Sequence, residues 1–187
     1  QCSGLTNLNL GSLDTSNVKK MSQMFYECSK LTELNVSSFN TSRVTEMDNM
    51  FGYCTSLESL DISSFNKNGS STSAVIDMSK MFAVCSSLTS LDLTGFSTDS
   101  ARNMKSMFAS CVGLTELDVC DFDTGSVTAM SSMFYNCYGL TELDLSNFNT
   151  TNVTDMNTMF YNCPGLTSLD VSSFDTSSVT TMTAMFY

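Results

Sequence analysis

Residues 137–162 read CYGLTELDLSNFNTTNVTDMNTMFYN, and the same phrase begins again at Cys163. Counted from each first cysteine as position zero, the 187-residue chain holds seven such units. They are spaced by 26 residues, apart from one spacing of 31, and start at Cys2, Cys28, Cys54, Cys85, Cys111, Cys137 and Cys163. When the five extra residues of the third unit are left out of the count, all 14 Met fall at positions 19 and 22, and all 13 Phe at positions 11 and 23. A fixed period of this length indicates stacked repeats.

The unit has two halves with different apolar periods. The triplet Leu143-Asp144-Leu145 alternates, which predicts a strand with its leucines inward. The phrase Val-x-x-Met-x-x-Met-Phe-x-x-Cys places apolar residues on one face of a helix of about three turns. The threonines between the halves are predicted to cap that helix: Thr15, Thr41, Thr98, Thr124, Thr150 and Thr176. Glycines at the return corner are predicted to adopt positive φ: Gly4, Gly113, Gly139 and Gly165.

These halves predict an α/β fold, a right-handed leucine-rich-repeat solenoid of about seven 26-residue strand–helix units. One parallel sheet would form the concave side and short helices the convex side. Leu, Phe, Met and Cys would stack in inward columns, because one unit alone buries too little to fold. We therefore expect a single domain over residues 1–187, and the absence of polar capping units predicts that it is part of a longer protein.

The full phrase, Met-Phe-x-x-Cys-x-x-Leu-x-x-Leu-Asp-Leu-Ser-x-Phe-Asx-Thr-Ser-x-Val-Thr-x-Met, resembles the 26-residue repeat of bacterial surface proteins, a branch of the BspA-like leucine-rich-repeat proteins. The resemblance covers essentially the whole chain. It implies a secreted or surface-anchored protein that acts in adhesion or host contact, and hence an extracellular or cell-surface location.

Composition limits the partners. The net charge is −11 and the sequence pI is about 4.1, with 8 Lys and Arg residues. This argues against nucleic acid, which requires a basic face, and disfavours anionic membrane surfaces. No apolar run reaches the 18 residues of a membrane span, so we expect no membrane insertion of this segment. Such a charge suits a cationic partner or simple solubility.

The cysteines divide into two kinds. Seven share position zero beside Met and Phe, which predicts buried small apolar side chains rather than disulfides. Cys120 lies at position 9, on the outward side of the predicted strand, and is expected to be an exposed thiol.

Acidic side chains repeat along the outward face of the predicted strands. The candidate binding residues there are Glu33, Asp61, Asp92, Glu116, Asp118, Glu142, Asp144 and Asp170. Stacked carboxylates at about 4.8 Å repel one another, so something must offset the charge. Hydrogen bonds from Ser, Thr or backbone N–H groups are the favoured explanation; bound calcium and a basic partner in the groove are the alternatives.

A second candidate surface is an aromatic corner formed by Tyr135, Tyr138, Tyr161 and Tyr187. Tyrosine is common in recognition surfaces, and packing of these rings over the corner is an equally good explanation of the column. The five-residue insertion within residues 67–73 is interpreted as a tolerated surface loop, with a binding loop as the alternative.

The chain contains no His, no Gly-rich phosphate loop and no carboxylate pair that breaks the repeat, so an enzyme is not expected. No catalytic residue, metal site or cofactor is predicted, apart from the calcium alternative. The predicted function is extracellular recognition or adhesion, with a basic or host-derived protein bound to the acidic concave face. The alternatives are a structural spacer without a ligand, or a cation- or carbohydrate-binding surface.

Overall fold

A computed structural model describes residues 2–11, 13–66 and 71–187. Strands β1 (Glu33–Asn35) and β2 (Ser59–Asp61) form a two-stranded parallel sheet, and a one-turn 3₁₀ helix spans Ser63–Asn66. Leu34 pairs with Leu60 in the centre of both strands, and both leucines are buried between exposed neighbours. The predicted alternation is therefore present in these two units.

The predicted fold class is wrong. The described residues contain no α-helix, and most of them lie outside regular secondary structure. The other leucine triplets in this part of the chain form no strands, so there is no solenoid of seven strand–helix units. The leucine-rich-repeat interpretation fails on both of its elements.

The predicted helices are consecutive turns. In residues 47–54 the N–H of Met50 donates to the carbonyl of Met47 at 3.2 Å, and the N–H of Cys54 to that of Phe51 at 3.2 Å. These are three-residue steps, whereas an α-helix requires four-residue steps. Apolar residues three apart fit both structures, which is why the spacing alone predicted a helix.

Positive φ angles explain why these turns cannot relax into a helix. Asn49 has φ of 54° and Tyr53 of 62°, each at the third position of its turn, as a type II turn requires. The pattern recurs in the other turn segments, at Gln23, Glu27, Lys80, Val84, Ser106, Ser110, Ser132, Asn136, Thr158, Asn162 and Ala184. A right-handed helix needs negative φ at every residue.

The N–H groups at the first and third positions of the turns join each unit to the next. Met104, Ser106, Phe108 and Ser110 donate to the carbonyls of Ala129, Ser131, Met133 and Tyr135 at 3.0, 2.9, 3.0 and 2.6 Å. A line of isolated parallel bridges follows the same direction, from Lys20 through Glu46, Asp77, Asn103, Ala129 and Asp155 to Thr181. Successive units therefore stack in register, one coil of chain upon another.

The stacked coils enclose the predicted apolar columns. In the fourth and fifth units, Met104, Met107, Phe108 and Cys111 have 0% exposed surface. The phenylalanine rings at position 23 stack continuously, with centroids 5.6 Å apart between Phe82 and Phe108 and 5.9 Å between Phe108 and Phe134. The prediction of inward columns of Leu, Phe, Met and Cys is confirmed in the second to sixth units, whereas Cys2 in the first unit and Met182 in the seventh are exposed.

The buried cysteines also form hydrogen bonds. The thiol of Cys111 donates to the carbonyl of Phe82 at 3.0 Å, and Cys137 donates likewise to Phe108 at 3.2 Å. Burial raises the pKa of the Cys54 thiol to about 12, so the column stays protonated at neutral pH. All eight cysteines are free, and Cys120 is exposed as predicted.

The threonine column does not cap helices. Thr98 donates to the carbonyl of Asp123 at 2.9 Å, and Thr124 donates to that of Asn149 at 3.0 Å. Each buried hydroxyl thus satisfies a carbonyl of the following coil. The threonine hydroxyls therefore join neighbouring coils. The helix-cap prediction was wrong because a hydroxyl can either accept an N–H at a helix N-terminus or donate to a carbonyl.

The predicted positive φ is wrong for the corner glycines; Gly113, Gly139 and Gly165 are required for space, whereas Gly4 has nothing within 4 Å of its missing side chain. Gly113 and Gly139 do not have positive φ, and among the described glycines it is Gly95, at 72°, that does. A Cβ atom on Gly139 would lie 2.5 Å from the carbonyl oxygen of Leu114 in the preceding coil. Residues 67–70 of the predicted insertion loop lie outside the described residues.

Candidate functional site

The carboxylate row consists of the position-7 residues Asp61, Asp92, Asp118, Asp144 and Asp170, all of which are exposed. In each residue Oδ1 accepts the backbone N–H two residues further on. The distance is 2.9 Å for Asp144 to Ser146 and 3.0 Å for Asp118 to Cys120. This local Asx turn fixes the orientation of each carboxylate. It also fixes the direction in which the chain leaves the leucine segment, which is the leucine-containing stretch of each unit, such as residues 114–122.

Earlier units hold asparagine in the same geometry. The Oδ1 atom of Asn35 accepts the N–H of Ser37 at 2.9 Å, as the equivalent aspartates do in later units. The turn therefore depends on the oxygen and not on the charge. Negative charge at position 7 is an additional property of the units that follow.

Hydrogen bonds hold the carboxylates in their charged form. Bonds from Cys120 lower the pKa of Asp118, and the Ser172 side chain and N–H lower that of Asp170. The N–H and hydroxyl of Ser146 lower the pKa of Asp144, although the charges of Asp118 and Asp170 act against this. The favoured sequence explanation for the stacked charges, hydrogen bonding from backbone and serine groups, is thus supported in these units.

A second acidic position flanks the row. Glu33, Glu116 and Glu142 are exposed at position 5, separated from position 7 by one buried leucine. Glu116, Asp118, Glu142 and Asp144 line one shallow depression of about 230 Å³. Toward the N-terminus, Glu33 and Asp61 line another of about 550 Å³. We call the two positions together the acidic face.

The calcium alternative gains no support from the geometry. Within residues 2–11, 13–66 and 71–187, no group of three Asp, Glu, Cys or His side chains is arranged to hold a metal ion. Each coil contributes one exposed carboxylate to the row, whereas calcium takes six to eight oxygen ligands.

Positive charge is absent from the C-terminal part of the chain. Residues 106–187 contain nine Asp and Glu residues and no Lys or Arg. The described residues include an ion pair in the first two units, where Lys20 Nζ lies 2.8 Å from Glu46 Oε1. The acidic face of the fifth to seventh units therefore has no intramolecular cation from its own part of the chain.

Another Asx column was missed by the sequence reasoning. The Oδ1 atoms of Asp14, Asp123 and Asp175 accept N–H groups two residues on, each at 2.9 Å. They lie at position 12, beyond the phenylalanine that ends the leucine segment. The repeated Asx-x-Ser signal was present in the sequence but was interpreted as a helix cap.

The aromatic corner contains a tyrosine ladder, defined as Tyr135, Tyr161 and Tyr187. Its ring centroids are 5.0 and 4.9 Å apart, and the rings are within 15° of parallel. Tyr138 lies outside this stack, 46% exposed, and its hydroxyl accepts a hydrogen bond from Asn162 Nδ2 at 3.1 Å. The four predicted residues thus comprise a stack of three rings and one separate ring.

Cys120 lies beside the acidic face, at position 9. Its thiol is exposed, and the Asp118 hydrogen bond together with the charges of Asp118, Asp121 and Asp144 raises its pKa to about 11. The carboxylates therefore keep this thiol protonated, which makes it a weak nucleophile at neutral pH.

Among the described residues, no helix has the length and hydropathy needed to span a membrane. Comparison with curated proteins gives no match. A protein family does match, the one described as Mycoplasma protein of unknown function, DUF285, over residues 1–117, 67–163 and 113–187. These overlapping ranges cover the whole chain, and the chain belongs to this family.

This family assignment replaces the BspA-like leucine-rich-repeat family, and the resemblance drawn from the 26-residue phrase is wrong. The phrase repeats with the right period but is folded as turns. The predictions of adhesion and of an extracellular or cell-surface location followed from that resemblance, and they stay predictions.

Proposed function

We propose that this protein is a recognition module whose acidic face binds a cationic segment of a partner protein. The observation that carries the proposal is the carboxylate row in the fifth to seventh units, which lies in a stretch without Lys or Arg. Charges that lack an internal counterion attract an external one and steer its approach.

The Asx turns support this proposal because they leave most lone pairs of each carboxylate available to a partner. Each turn uses one lone pair of a carboxylate that offers about four. The orientation of the group is set before a partner arrives, so less conformational entropy is lost on binding. The lowered pKa values of Asp118, Asp144 and Asp170 keep these three carboxylates charged to a lower pH than an ordinary aspartate.

Lysine- or arginine-rich protein segments fit this surface better than a compact ligand does. The depressions on the face are shallow, and the carboxylates recur once per coil along its length. One exposed ion pair contributes only about 0.2–1 kcal/mol, so a compact ligand that meets one carboxylate would bind weakly. An extended cationic chain can form ion pairs with several carboxylates at once. Affinity would then come from the number of pairs and would fall with rising salt.

The test compares two sets of charge removals that keep the same backbone turn. Asp118, Asp144 and Asp170 are changed together to Asn, because Asn35 shows that asparagine makes the Asx bond. The control changes Asp14, Asp123 and Asp175 to Asn, in the column where Asn149 makes that bond with Thr151. Both sets remove three charges.

Binding of an oligolysine peptide is measured by calorimetry at low and at physiological salt. We expect the first set to weaken binding about tenfold, the second set to have little effect, and salt to weaken every complex. Equal losses in both variants would show only a response to net charge and would contradict a specific face. No binding to the parent chain would favour the spacer alternative, in which the stack holds other segments apart.

A further inference from the structure

The tyrosine ladder is held in place by the turn backbone. The carbonyls of Tyr135, Tyr161 and Tyr187 accept N–H groups from Ser110, Asn136 and Asn162 at 2.6, 2.8 and 2.7 Å. The rings occupy the same column on consecutive coils, so equivalent atoms of neighbouring rings lie close to the centroid distance of about 5 Å. Tyr187 is 79% exposed, and Tyr135 and Tyr161 are partly exposed.

We infer that the ladder is a site of oxidative tyrosine cross-linking, which joins Tyr135 to Tyr161 and Tyr161 to Tyr187. The reaction requires a one-electron oxidant, such as a peroxide-derived radical. Each phenol gives up its O–H proton and one electron to the oxidant, and a carbon–carbon bond forms between the Cε atoms of the two tyrosyl radicals. Each coupled ring carbon then loses its proton while the phenol oxygen gains one, so the product lacks two hydrogen atoms in total.

Proximity is what the fold contributes. Coupling between free tyrosyl radicals is bimolecular, whereas neighbouring rings of the ladder are already together. Two groups held close together react as if each were present at a very high local concentration. The partly exposed ring edges also leave room for the outward tilt that a bond between two ring carbons requires.

A second pair of tyrosines, Tyr26 and Tyr53, serves as a comparison because its rings are similarly close but not parallel. Tyr26 and Tyr53 also belong to consecutive units, with centroids 5.5 Å apart, but their planes meet at 69°. They occupy adjacent columns, positions 24 and 25, so equivalent ring carbons do not overlie one another. The distance is similar and the orientation differs, which isolates the contribution of parallel stacking.

Cross-links would join consecutive coils of the stack covalently. A covalent bond between residues 26 apart restricts the unfolded chain as a disulfide does, so the oxidised protein should melt at a higher temperature.

The experiment uses the full chain at low concentration, illuminated with tris(bipyridyl)ruthenium and persulfate as the one-electron oxidant. Residues 106–187 contain no Lys or Arg, so the product is digested with a protease that cleaves at acidic residues and analysed by mass spectrometry. We expect cross-linked peptides that contain Tyr135 with Tyr161 and Tyr161 with Tyr187, together with dityrosine fluorescence from the monomer.

Tyr161→Phe keeps the stacked ring but removes the central phenol, and it should reduce monomer dityrosine about tenfold because neither link can form. Tyr138→Phe is the control and should leave the yield unchanged. Absence of dityrosine would overturn the inference. So would an equal yield from Tyr26 and Tyr53, a yield that survives in Tyr161→Phe, or a product found only between molecules and lost on dilution.

Discussion

Each repeat contains a turn segment, such as residues 104–111, and a leucine segment, such as residues 114–122, and the two meet their neighbours differently. Four N–H groups of the turn segment donate to the following coil, from Met104, Ser106, Phe108 and Ser110. Between the leucine segments of the fifth and sixth units, the N–H of Thr141 donates to the carbonyl of Thr115 at 3.2 Å. Outside the β1–β2 sheet of the second and third units, the turn segment therefore supplies most of the backbone hydrogen bonds between coils, and the leucine segment presents exposed side chains.

The largest expected effect on stability comes from replacing one phenylalanine of each segment. Phe108, fully buried in the turn segment, has ring contacts with Phe82, Phe122 and Phe134, one more than Phe122, which ends the leucine segment, is 2% exposed and contacts Phe96 and Phe108. Phe108→Ala should lower the free energy of unfolding by about 3–5 kcal/mol. Phe122→Ala should cost about 1 kcal/mol less, the value of an aromatic pair. Urea denaturation measures both, and an equal or reversed order would contradict the turn segment as the main source of stability.

Glycine at the corner between the two segments gives the next test. A Cβ on Gly139 would meet the carbonyl oxygens of Leu114 and Val112 at 2.5 and 2.8 Å, whereas Gly4 has nothing within 4 Å. Gly139→Ala should destabilise by about 1–3 kcal/mol, because the coils must move apart. Gly4→Ala should be neutral or slightly stabilising. Thermal melting of the two variants distinguishes them, and similar melting temperatures would show that the corner is not closely packed.

The sequence was sufficient to predict some features and not others, for reasons visible in single residues. The columns of Leu34, Phe108 and Cys111 were predictable, since burial depends on the period and not on the type of local structure. The turns were not, because a spacing of three fits a helix equally well. Their usual signal, Gly or Asn at positive φ, is present at Asn49, Asn136 and Asn162, but most of the other turns hold residues such as Gln23 and Val84 there.

The candidate site was likewise predictable in part. The carboxylate row was found from alternation with Leu117 and Leu143, and this alternation of burial persists without a strand. Its Asx turns and the parallel stacking of Tyr135 on Tyr161 depend on the path of the backbone between repeats. That path is set by hydrogen bonds between residues about 25 positions apart, which no local pattern in the sequence reports.

Strain within a turn segment provides a smaller test. Val84 has φ of 61°, a conformation in which a β-branched side chain is strained. Val84→Gly should raise the free energy of unfolding by about 1 kcal/mol, because glycine adopts this conformation without that cost. Val112, also partly buried but without positive φ, is the control, and Val112→Gly should destabilise by about 1 kcal/mol. Destabilisation by both changes would mean that packing of Val84 outweighs its backbone strain.

The smallest effect concerns the leucine segment and its charges. The pKa values of Asp118, Asp144 and Asp170 are lowered in the folded chain by hydrogen bonds from the side chain and the backbone N–H of Cys120, Ser146 and Ser172 respectively. Carboxylates of this kind add stability above their unfolded pKa of about 3.9, and that stability is lost as pH falls through the lower folded pKa. The urea midpoint should therefore fall from about pH 5 toward pH 2.

Changing all three aspartates to Asn should make that fall shallower, since asparagine keeps the turn, as Asn35 does, but does not titrate. The same variant should leave the turn segments intact, so its midpoint at neutral pH should change far less than that of Phe108→Ala. Parallel pH profiles for variant and parent would contradict the assigned cause of the lowered pKa values. A large loss at neutral pH would instead show that charge in the leucine segment supports the stack, and the division between the two segments would fail.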